Sequence, residues 1–101
     1  MPKTSTGIGI YRLMNTVTRV VYIGKATNMR TRVSGHKSLL RQGKHPNKLL
    51  QADWDLYGEK SFTVKVLKEV SAKNLHRIEK QVINSYMDQG IAMYNMQDNI
   101  L

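Results

Sequence analysis

The chain has 101 residues and a formal net charge of +9, from 16 Lys and Arg against 7 Asp and Glu. This length fits one domain with one compact hydrophobic core, and the charge predicts a polyanionic partner, most often nucleic acid. The absence of Cys excludes disulfide bonds and thiolate metal sites. No apolar run is long enough to span a membrane. A structural, ribosomal-type basic protein is the alternative that charge alone leaves open.

The domain organisation follows from composition along the chain. Residues 1–6 are small and polar and are expected to be a flexible N-terminal tail. Residues 7–97 are expected to form a single domain, followed by a C-terminal tail at 98–101. The N-terminal region lacks the apolar core of a signal peptide, so a cytoplasmic, intracellular location is expected.

Two strands are predicted at the start of the domain, over residues 7–14 and 19–24, because both segments are rich in Ile, Val and Tyr. The polar residues 15–18 between them form a predicted hairpin loop. With a loop of this length, Tyr11 lies directly opposite Tyr22 on one face of the sheet. A loop one residue longer or shorter would break this alignment.

A helix capped by Thr27 or Asn28 is predicted to end at about Gln42. His36 falls on its apolar stripe and is expected to face the domain, and Arg32 lies one turn earlier at the edge of that stripe. Other cations form a separate ridge, about 100° round the helix, that is expected to face solvent. This ridge consists of Arg30, Lys37 and Arg41.

The remaining elements are predicted from Pro and Gly positions and from apolar periodicity. Pro46 suits the first position of a second helix, residues 61–70 alternate as a half-buried strand, and a last helix covers about 72–88. The order β-β-α-α-β-α predicts an α+β domain, with a small three-stranded antiparallel sheet flanked by helices.

A carboxylate on the apolar face of the last helix is the most informative single residue. Glu79 falls among the apolar positions of that helix at about 100° per residue. Burying a carboxylate is costly unless it is paired or binds a metal. A salt bridge to a basic residue at the edge of the core is one interpretation. A ligand of Mg²⁺, which proteins often hold through one carboxylate plus water and substrate phosphate, is the other.

Each of the other candidate residues has an ordinary structural explanation when taken alone. Tyr11 and Tyr22 are common strand aromatics, and His36 suits a packed core histidine. Arg32 suits a solvated helix surface. Because all of these side chains and Glu79 are expected to point at the same edge of the core, the set favours a phosphodiester-cleaving site with a shared pocket.

The chain resembles the GIY-YIG nuclease family, and is most similar to phage and group I intron homing endonucleases. The resemblance covers residues 7–97 and rests on GIY at 9–11, YIG at 22–24, Arg32, His36, GKHPNKLLQ at 43–51, Glu79 and Asn95. It implies a metal-dependent endonuclease that hydrolyses phosphodiester bonds of double-stranded DNA, uses one Mg²⁺ or Mn²⁺ ion, and needs no small-molecule cofactor. It also suggests a phage or mobile-element origin. The alternative is a non-catalytic, basic nucleic-acid-binding module on the same fold.

The resemblance implies roles for three residues that would act on the phosphate and the attacking water. Tyr11 would be the general base or would position the water. Tyr22 would hydrogen-bond the scissile phosphate or share that work. Arg32 would stabilise the negative charge of the transition state.

The resemblance also implies supporting roles. His36 would assist proton transfer or polarise a tyrosine, and Glu79 would be the one protein ligand of the metal. Asn95 would hold the geometry of the cluster. Gly9 and Gly24 would leave room for backbone and substrate near the site.

Surface cations are expected to contact the DNA backbone, which raises affinity and salt sensitivity but carries no base code. His45 has two interpretations, a helix-opening residue before Pro46 and a phosphate contact. The predicted phosphate-binding residues are Lys25, Arg30, Lys37, Arg41, Lys44, His45 and Lys48.

Overall fold

The computed structural model describes residues 7–95, so the two predicted tails and the last residues of the predicted domain lie outside it. The described residues form a three-stranded antiparallel sheet with strand order β2-β1-β3, and three α-helices. This confirms the predicted α+β fold. Its elements are β1 (Gly9–Asn15), β2 (Val21–Ala26), α1 (Met29–Gln42), α2 (Lys48–Tyr57), β3 (Phe62–Glu69) and α3 (Leu75–Asp88).

The central strand β1 is buried on both faces of the sheet. Ile10 is fully buried and packs in one cluster with Val82 of α3. Leu13 is also fully buried, but it packs on the opposite face with Leu40 of α1 and Leu50 of α2. Helix α3 therefore covers one face, and α1 and α2 cover the other. The small domain gains a core layer on each side of a single strand.

The predicted pairing of Tyr11 with Tyr22 is wrong by two residues. Tyr11 lies opposite Gly24, and Tyr22 lies opposite Leu13. Because side chains alternate with a period of two, a shift of two residues leaves both tyrosines on the same face of the sheet. This is the face that α1 and α2 cover.

The turn between β1 and β2 explains the shift. The side-chain carbonyl of Asn15 accepts hydrogen bonds from the backbone N–H groups of Val17 and Thr18, at 3.0 and 3.4 Å. Arg19 then adopts a left-handed conformation with φ of 69°. Asn15 is fully buried, and its side chain builds a wider turn than the polar residues alone indicate.

Helix caps account for the bounds of α1 and α2. Asn28 caps α1 by accepting from the N–H of Thr31, and Gly43 ends it with φ of 74°, as predicted. Helix α2 does not begin at Pro46. Its first residue is Lys48, because Asn47 provides the cap.

The two edge strands of the sheet, β3 and β2, each show a feature that was not predicted. Val64 and Val66 of β3 are 37% and 47% exposed, because none of the helices among residues 7–95 covers this end of the face. On the other side of the sheet, Met93 forms a parallel bridge with Val21 and so continues the sheet beyond β2. In the part of the chain that the structure describes, no helix is long and apolar enough to cross a membrane.

Candidate active site

A buried tyrosine and a buried histidine meet between β1 and α1. The hydroxyl oxygen of Tyr11 lies 2.7 Å from Nε2 of His36, and the two residues are 1% and 4% exposed. Gly24 makes this placement possible, because a Cβ atom there would lie 2.3 Å from the same hydroxyl oxygen. Thus Gly24 makes room for the Tyr11 ring itself.

The second nitrogen of His36 is also engaged within the protein. Its Nδ1 lies 2.8 Å from Nε2 of His45, and the two rings stack at 5.0 Å. Nδ1 of His45 accepts a hydrogen bond from the backbone N–H of Asn47 at 3.0 Å. The three side chains of Tyr11, His36 and His45 thus form one continuous line, which ends on a backbone amide.

The prediction of a phosphate contact for His45 is not supported by this geometry. The side chain is only 7% exposed, and both ring nitrogens have partners inside the domain. The residue does precede the helix-opening segment, but its ring points inward, where it contacts His36 of α1.

Tyr22 lies beside the same histidine. Its ring meets the His36 ring edge-on at a centroid distance of 5.3 Å. The neighbouring residue Ile23 is held by Asn95, whose amide accepts from the Ile23 N–H at 2.8 Å and donates to the Ile23 carbonyl at 2.7 Å. Asn95 therefore fixes the outer edge of β2 next to Tyr22.

Opposing charges act on the Tyr11 phenol. Burial raises its pKa above the usual value for tyrosine, and the nearby Tyr22 acts in the same direction. The guanidinium of Arg32 lowers the pKa through its charge and through hydrogen bonding, whereas the carboxylate of Glu79 raises it. Nearby positive charge thus lowers the pKa as expected, but burial outweighs it, and Tyr11 is a neutral phenol at pH 7.

Glu79 forms an ion pair with Lys25, with Oε1 and Nζ 3.3 Å apart. Its side chain is 15% exposed, against 40% for Lys25. The salt bridge considered from the sequence is therefore present, and its basic partner is on β2. The charge of Glu79 also raises the Tyr11 pKa, although it is the smallest of the influences on it.

The donor set near Glu79 fits a hard divalent ion held by few protein ligands. Among the described residues there is no group of three or more His, Cys, Asp or Glu side chains that could enclose a metal. A single carboxylate that keeps some solvent access, beside a site for phosphate, is the arrangement in which Mg²⁺ retains several waters. Glu79 offers one such carboxylate, with 15% of its side chain exposed.

An open groove of about 720 Å³ lies between α1 and the uncovered face of β3. We call it the α1–β3 groove. Of the five side chains expected to share one pocket, Tyr11 alone lines it. The solvent-facing ridge of α1 forms its cationic wall, and exposed valines of β3 form its apolar wall. These lining residues are Arg30, Lys37, Arg41, Val64 and Val66.

The predicted phosphate-binding cations differ in their present partners. Arg41 makes a two-point ion pair with Glu59, through Nε at 2.9 Å and Nη2 at 2.5 Å. Lys44 and Lys48 are exposed beyond the end of α1 and at the start of α2. A phosphate at Arg41 must therefore compete with a carboxylate.

Two residues that position the site were not identified from the sequence. Asn47 holds His45 through its N–H and also donates its side-chain amide to the Tyr94 carbonyl at 3.2 Å. The side chain of Gln51 accepts from the His45 backbone N–H at 3.0 Å. The signal that could have found them is the spacing of His, Asn and Gln in the 43–51 segment, which brings all three to one turn.

Comparisons with known proteins agree with this architecture. The model of the GIY-YIG catalytic domain family matches residues 7–94. The catalytic domain of the homing endonuclease I-TevI is 26% identical, with a TM-score of 0.71, over 77% of this chain and 86% of that one. A structure of the catalytic domain of the intron endonuclease I-TevI with a Glu-to-Ala mutation is 24% identical, with a TM-score of 0.74, over 84% and 89% of the two chains. A comparison with curated protein sequences found no match.

Proposed function

This chain belongs to the GIY-YIG catalytic domain family, and we propose that it is a metal-dependent endonuclease that hydrolyses phosphodiester bonds of double-stranded DNA. The observation that carries the proposal is the environment of Tyr11. This buried phenol is 2.7 Å from an imidazole nitrogen, and both a guanidinium and a carboxylate act on its pKa. A tyrosine that served only packing would not require those polar groups around it.

Hydrolysis needs a group that accepts a proton from water while the water oxygen attacks phosphorus. Tyr11 is proposed to position this water and, after its own hydroxyl proton has passed to solvent, to accept the proton of the water as a phenolate. His36 is proposed to assist that transfer or to polarise the phenol. The attack breaks the bond from phosphorus to the leaving oxygen, which takes up a proton from solvent. Tyr22, on the same face of the sheet, is proposed to hydrogen-bond the scissile phosphate.

The phosphate gains negative charge during attack, so the site must supply positive charge in a fixed position. Arg32 is proposed to contact the phosphate oxygens, since its guanidinium is exposed and close enough to act on Tyr11. Its planar donors suit two oxygens of one phosphate. Asn95 is proposed to keep β2, and with it Tyr22, in register with this arrangement.

Glu79 is proposed to be the single protein ligand of one Mg²⁺ or Mn²⁺ ion. When bound, such an ion supplies Lewis-acid stabilisation of the phosphate and the leaving oxygen. The ion pair with Lys25 must open for the carboxylate to serve as a ligand. That exchange requires little energy, because a partly exposed ion pair contributes only about 0–1 kcal/mol.

The α1–β3 groove and nearby cations are proposed to hold the DNA backbone. Arg30 and Lys37 line the groove next to Tyr11, so phosphates bound there lead toward the proposed catalytic side chain. Contacts of this kind give affinity without sequence recognition. We propose Lys25, Arg41, Lys44 and Lys48 as further backbone contacts.

Cleavage of supercoiled plasmid, with Mg²⁺, Mn²⁺ or EDTA, tests the proposed activity. Tyr11→Phe and Glu79→Gln should each lower the cleavage rate by about 100-fold or more, with DNA binding retained. Asp88→Asn is the matched control, because it removes an exposed carboxylate at the end of the same helix as Glu79. Full activity in EDTA, or in Glu79→Gln, would remove the metal-ligand role.

A non-catalytic nucleic-acid-binding module remains the second candidate. It is favoured by the cationic wall of the groove and by the raised pKa of Tyr11. This candidate predicts salt-sensitive DNA binding and no cleavage with any divalent metal. The same plasmid experiment, combined with a binding measurement, separates it from the endonuclease.

A further inference from the structure

We propose that His45 is a positioning residue that fixes the direction of the hydrogen bond between His36 and Tyr11. The backbone amide of Asn47 sets the tautomer of His45, His45 sets that of His36, and His36 then donates to the Tyr11 oxygen. The proposal rests on the proposed function only where it says what the hydrogen bond from His36 to Tyr11 does in catalysis. The geometry that supports it is independent of any activity.

The direction of the chain follows from its one fixed donor. A backbone N–H can only donate, so Nδ1 of His45, at 3.0 Å from the Asn47 nitrogen, must accept and carries no proton. The proton of a neutral His45 is therefore on Nε2. This nitrogen lies 2.8 Å from Nδ1 of His36 and donates to it.

The same reasoning assigns the next link. Because Nδ1 of His36 accepts, the proton of neutral His36 is on Nε2. That nitrogen lies 2.7 Å from the Tyr11 hydroxyl oxygen, which becomes the acceptor. A proton on Nδ1 of His36 would instead set two donors against each other at 2.8 Å, and no hydrogen bond would join the two imidazoles.

The surroundings hold this arrangement in place. Gln51 accepts from the His45 backbone N–H at 3.0 Å, and the side chain of Asn47 caps α2 through the Leu50 N–H at 3.0 Å. The imidazole rings of His36 and His45 are both buried and stacked. Burial lowers the pKa of His36 to about 4, and the charge of Arg32, together with that of His45 whenever His45 is protonated, acts in the same direction. The ring of His36 is thus neutral at pH 7.

The direction of this hydrogen bond decides between the two roles proposed for His36, assisting proton transfer and polarising the phenol. Its Nε2 already carries a proton, so it does not accept the proton of Tyr11. It instead polarises the phenol by donating a hydrogen bond to the Tyr11 oxygen. The same hydrogen bond can be made to a phenolate, and it stabilises the phenolate relative to the phenol. The hydroxyl proton of Tyr11 must point away from His36. The geometry therefore directs the exchangeable proton of the Tyr11 hydroxyl away from both His36 and His45.

Nitrogen-15 NMR of the imidazoles in the full chain, at pH 7 and without metal or DNA, tests the assignment directly. The Nδ1–H and Nε2–H tautomers have distinct nitrogen shifts, and a merely structural role would not require either one. Both His36 and His45 should be the Nε2–H tautomer. An Nδ1–H tautomer of His36, or a doubly protonated ring, would overturn the proposal.

A matched pair of substitutions tests the consequence. His45→Gln keeps an N–H donor that can reach Nδ1 of His36, whereas His45→Phe keeps a ring without a donor. The Phe variant should show a mixture of His36 tautomers and lose about 100-fold in single-turnover cleavage, while the Gln variant should retain the Nε2–H tautomer and most of the activity.

The outcomes keep the two proposals distinguishable. A wild-type chain that shows both Nε2–H tautomers but cleaves no DNA supports the positioning role and contradicts the proposed function. A chain that cleaves DNA with His36 as the Nδ1–H tautomer contradicts the positioning role alone. If His45→Phe does not fold, the wild-type spectrum still decides the assignment.

Discussion

The Tyr11 ring lies against the backbone of Gly24, the residue directly opposite it on β2. A Cβ atom at Gly24 would stand 2.3 Å from the Tyr11 hydroxyl oxygen and 2.4 Å from the carbon that bears it. The two motifs that give the family its name thus depend on each other physically. The glycine of YIG is small so that the tyrosine of GIY can cross over it and reach His36.

Gly24→Ala should therefore displace Tyr11 and abolish most activity. The neighbouring atoms belong to a fully packed ring, so overpacking should lower the free energy of unfolding by about 1–3 kcal/mol. Gly35→Ala is the matched control, because its Cβ would meet nothing within 4 Å and should stabilise α1 by about 0.5–1 kcal/mol. Urea unfolding and plasmid cleavage measure both effects. Equal activity of the two variants would contradict this account of Gly24.

Lys25→Met should strengthen metal binding at Glu79, because it removes the ammonium that neutralises the carboxylate at 3.3 Å. For a partly exposed pair we expect affinity for Mn²⁺ to rise by about two- to fivefold. Electron paramagnetic resonance of free Mn²⁺, without DNA, gives the measurement. Lys73→Met, which removes an exposed cation elsewhere, serves as the control. Weaker Mn²⁺ binding in Lys25→Met alone would show that Lys25 does not compete with the ion.

Glu59→Gln should tighten DNA binding, because it frees Arg41 from its two-point ion pair. The plot of log affinity against log salt concentration should become steeper by about one unit for one additional phosphate contact. Asp88→Asn changes the net charge equally without touching the α1–β3 groove and should leave the slope nearly unchanged. A Glu59→Gln slope equal to that of the control would exclude Arg41 as a backbone contact.

The stability of the domain should fall in mild acid because of His36. Burial first, and then the charges of Arg32 and His45, lower the pKa of this residue from 6.5 to about 4. Between these values the unfolded chain binds a proton at position 36 that the folded chain does not. The free energy of unfolding is therefore complete above pH 6.5 and decreases toward pH 4, by up to about 3 kcal/mol.

Urea unfolding at a series of pH values, for the wild type and His36→Gln, measures this contribution. Carboxylates also titrate in acid, so the informative quantity is the difference between the two curves. That difference should shrink steadily as the pH is lowered from 6.5 to 4.5. Parallel curves would show that His36 is not held neutral in the folded state.

Local signals in the sequence were sufficient for most of the fold. Asn28 and Gly43 mark the ends of α1 because a side-chain cap and a left-handed glycine are determined within one turn. The inward direction of His36 follows in the same way from helical periodicity. What periodicity could not provide is the identity of the group that the imidazole meets, since His45 reaches it only through the turn before α2.

The register of the first hairpin shows a second limit. The side chain of Asn15 shapes the turn from a fully buried position, and burial of a polar residue depends on what the rest of the domain packs around it. In this case Tyr94 supplies part of that surrounding, with its hydroxyl oxygen 3.4 Å from the Asn15 amide. No local rule could have placed these two residues together.

The side-chain amide of Asn95 forms hydrogen bonds with both the N–H and the carbonyl of Ile23, which lies 72 positions earlier in the sequence. When Asn95 is still inside the ribosome, β1 and β2 have already been synthesised. The two hydrogen bonds that hold the strand carrying Tyr22 cannot yet form. Assembly of this edge must wait until the whole matched segment, residues 7–94, and Asn95 have been translated. The order of synthesis therefore makes the edge of β2 next to Tyr22 one of the last parts of the domain to be completed.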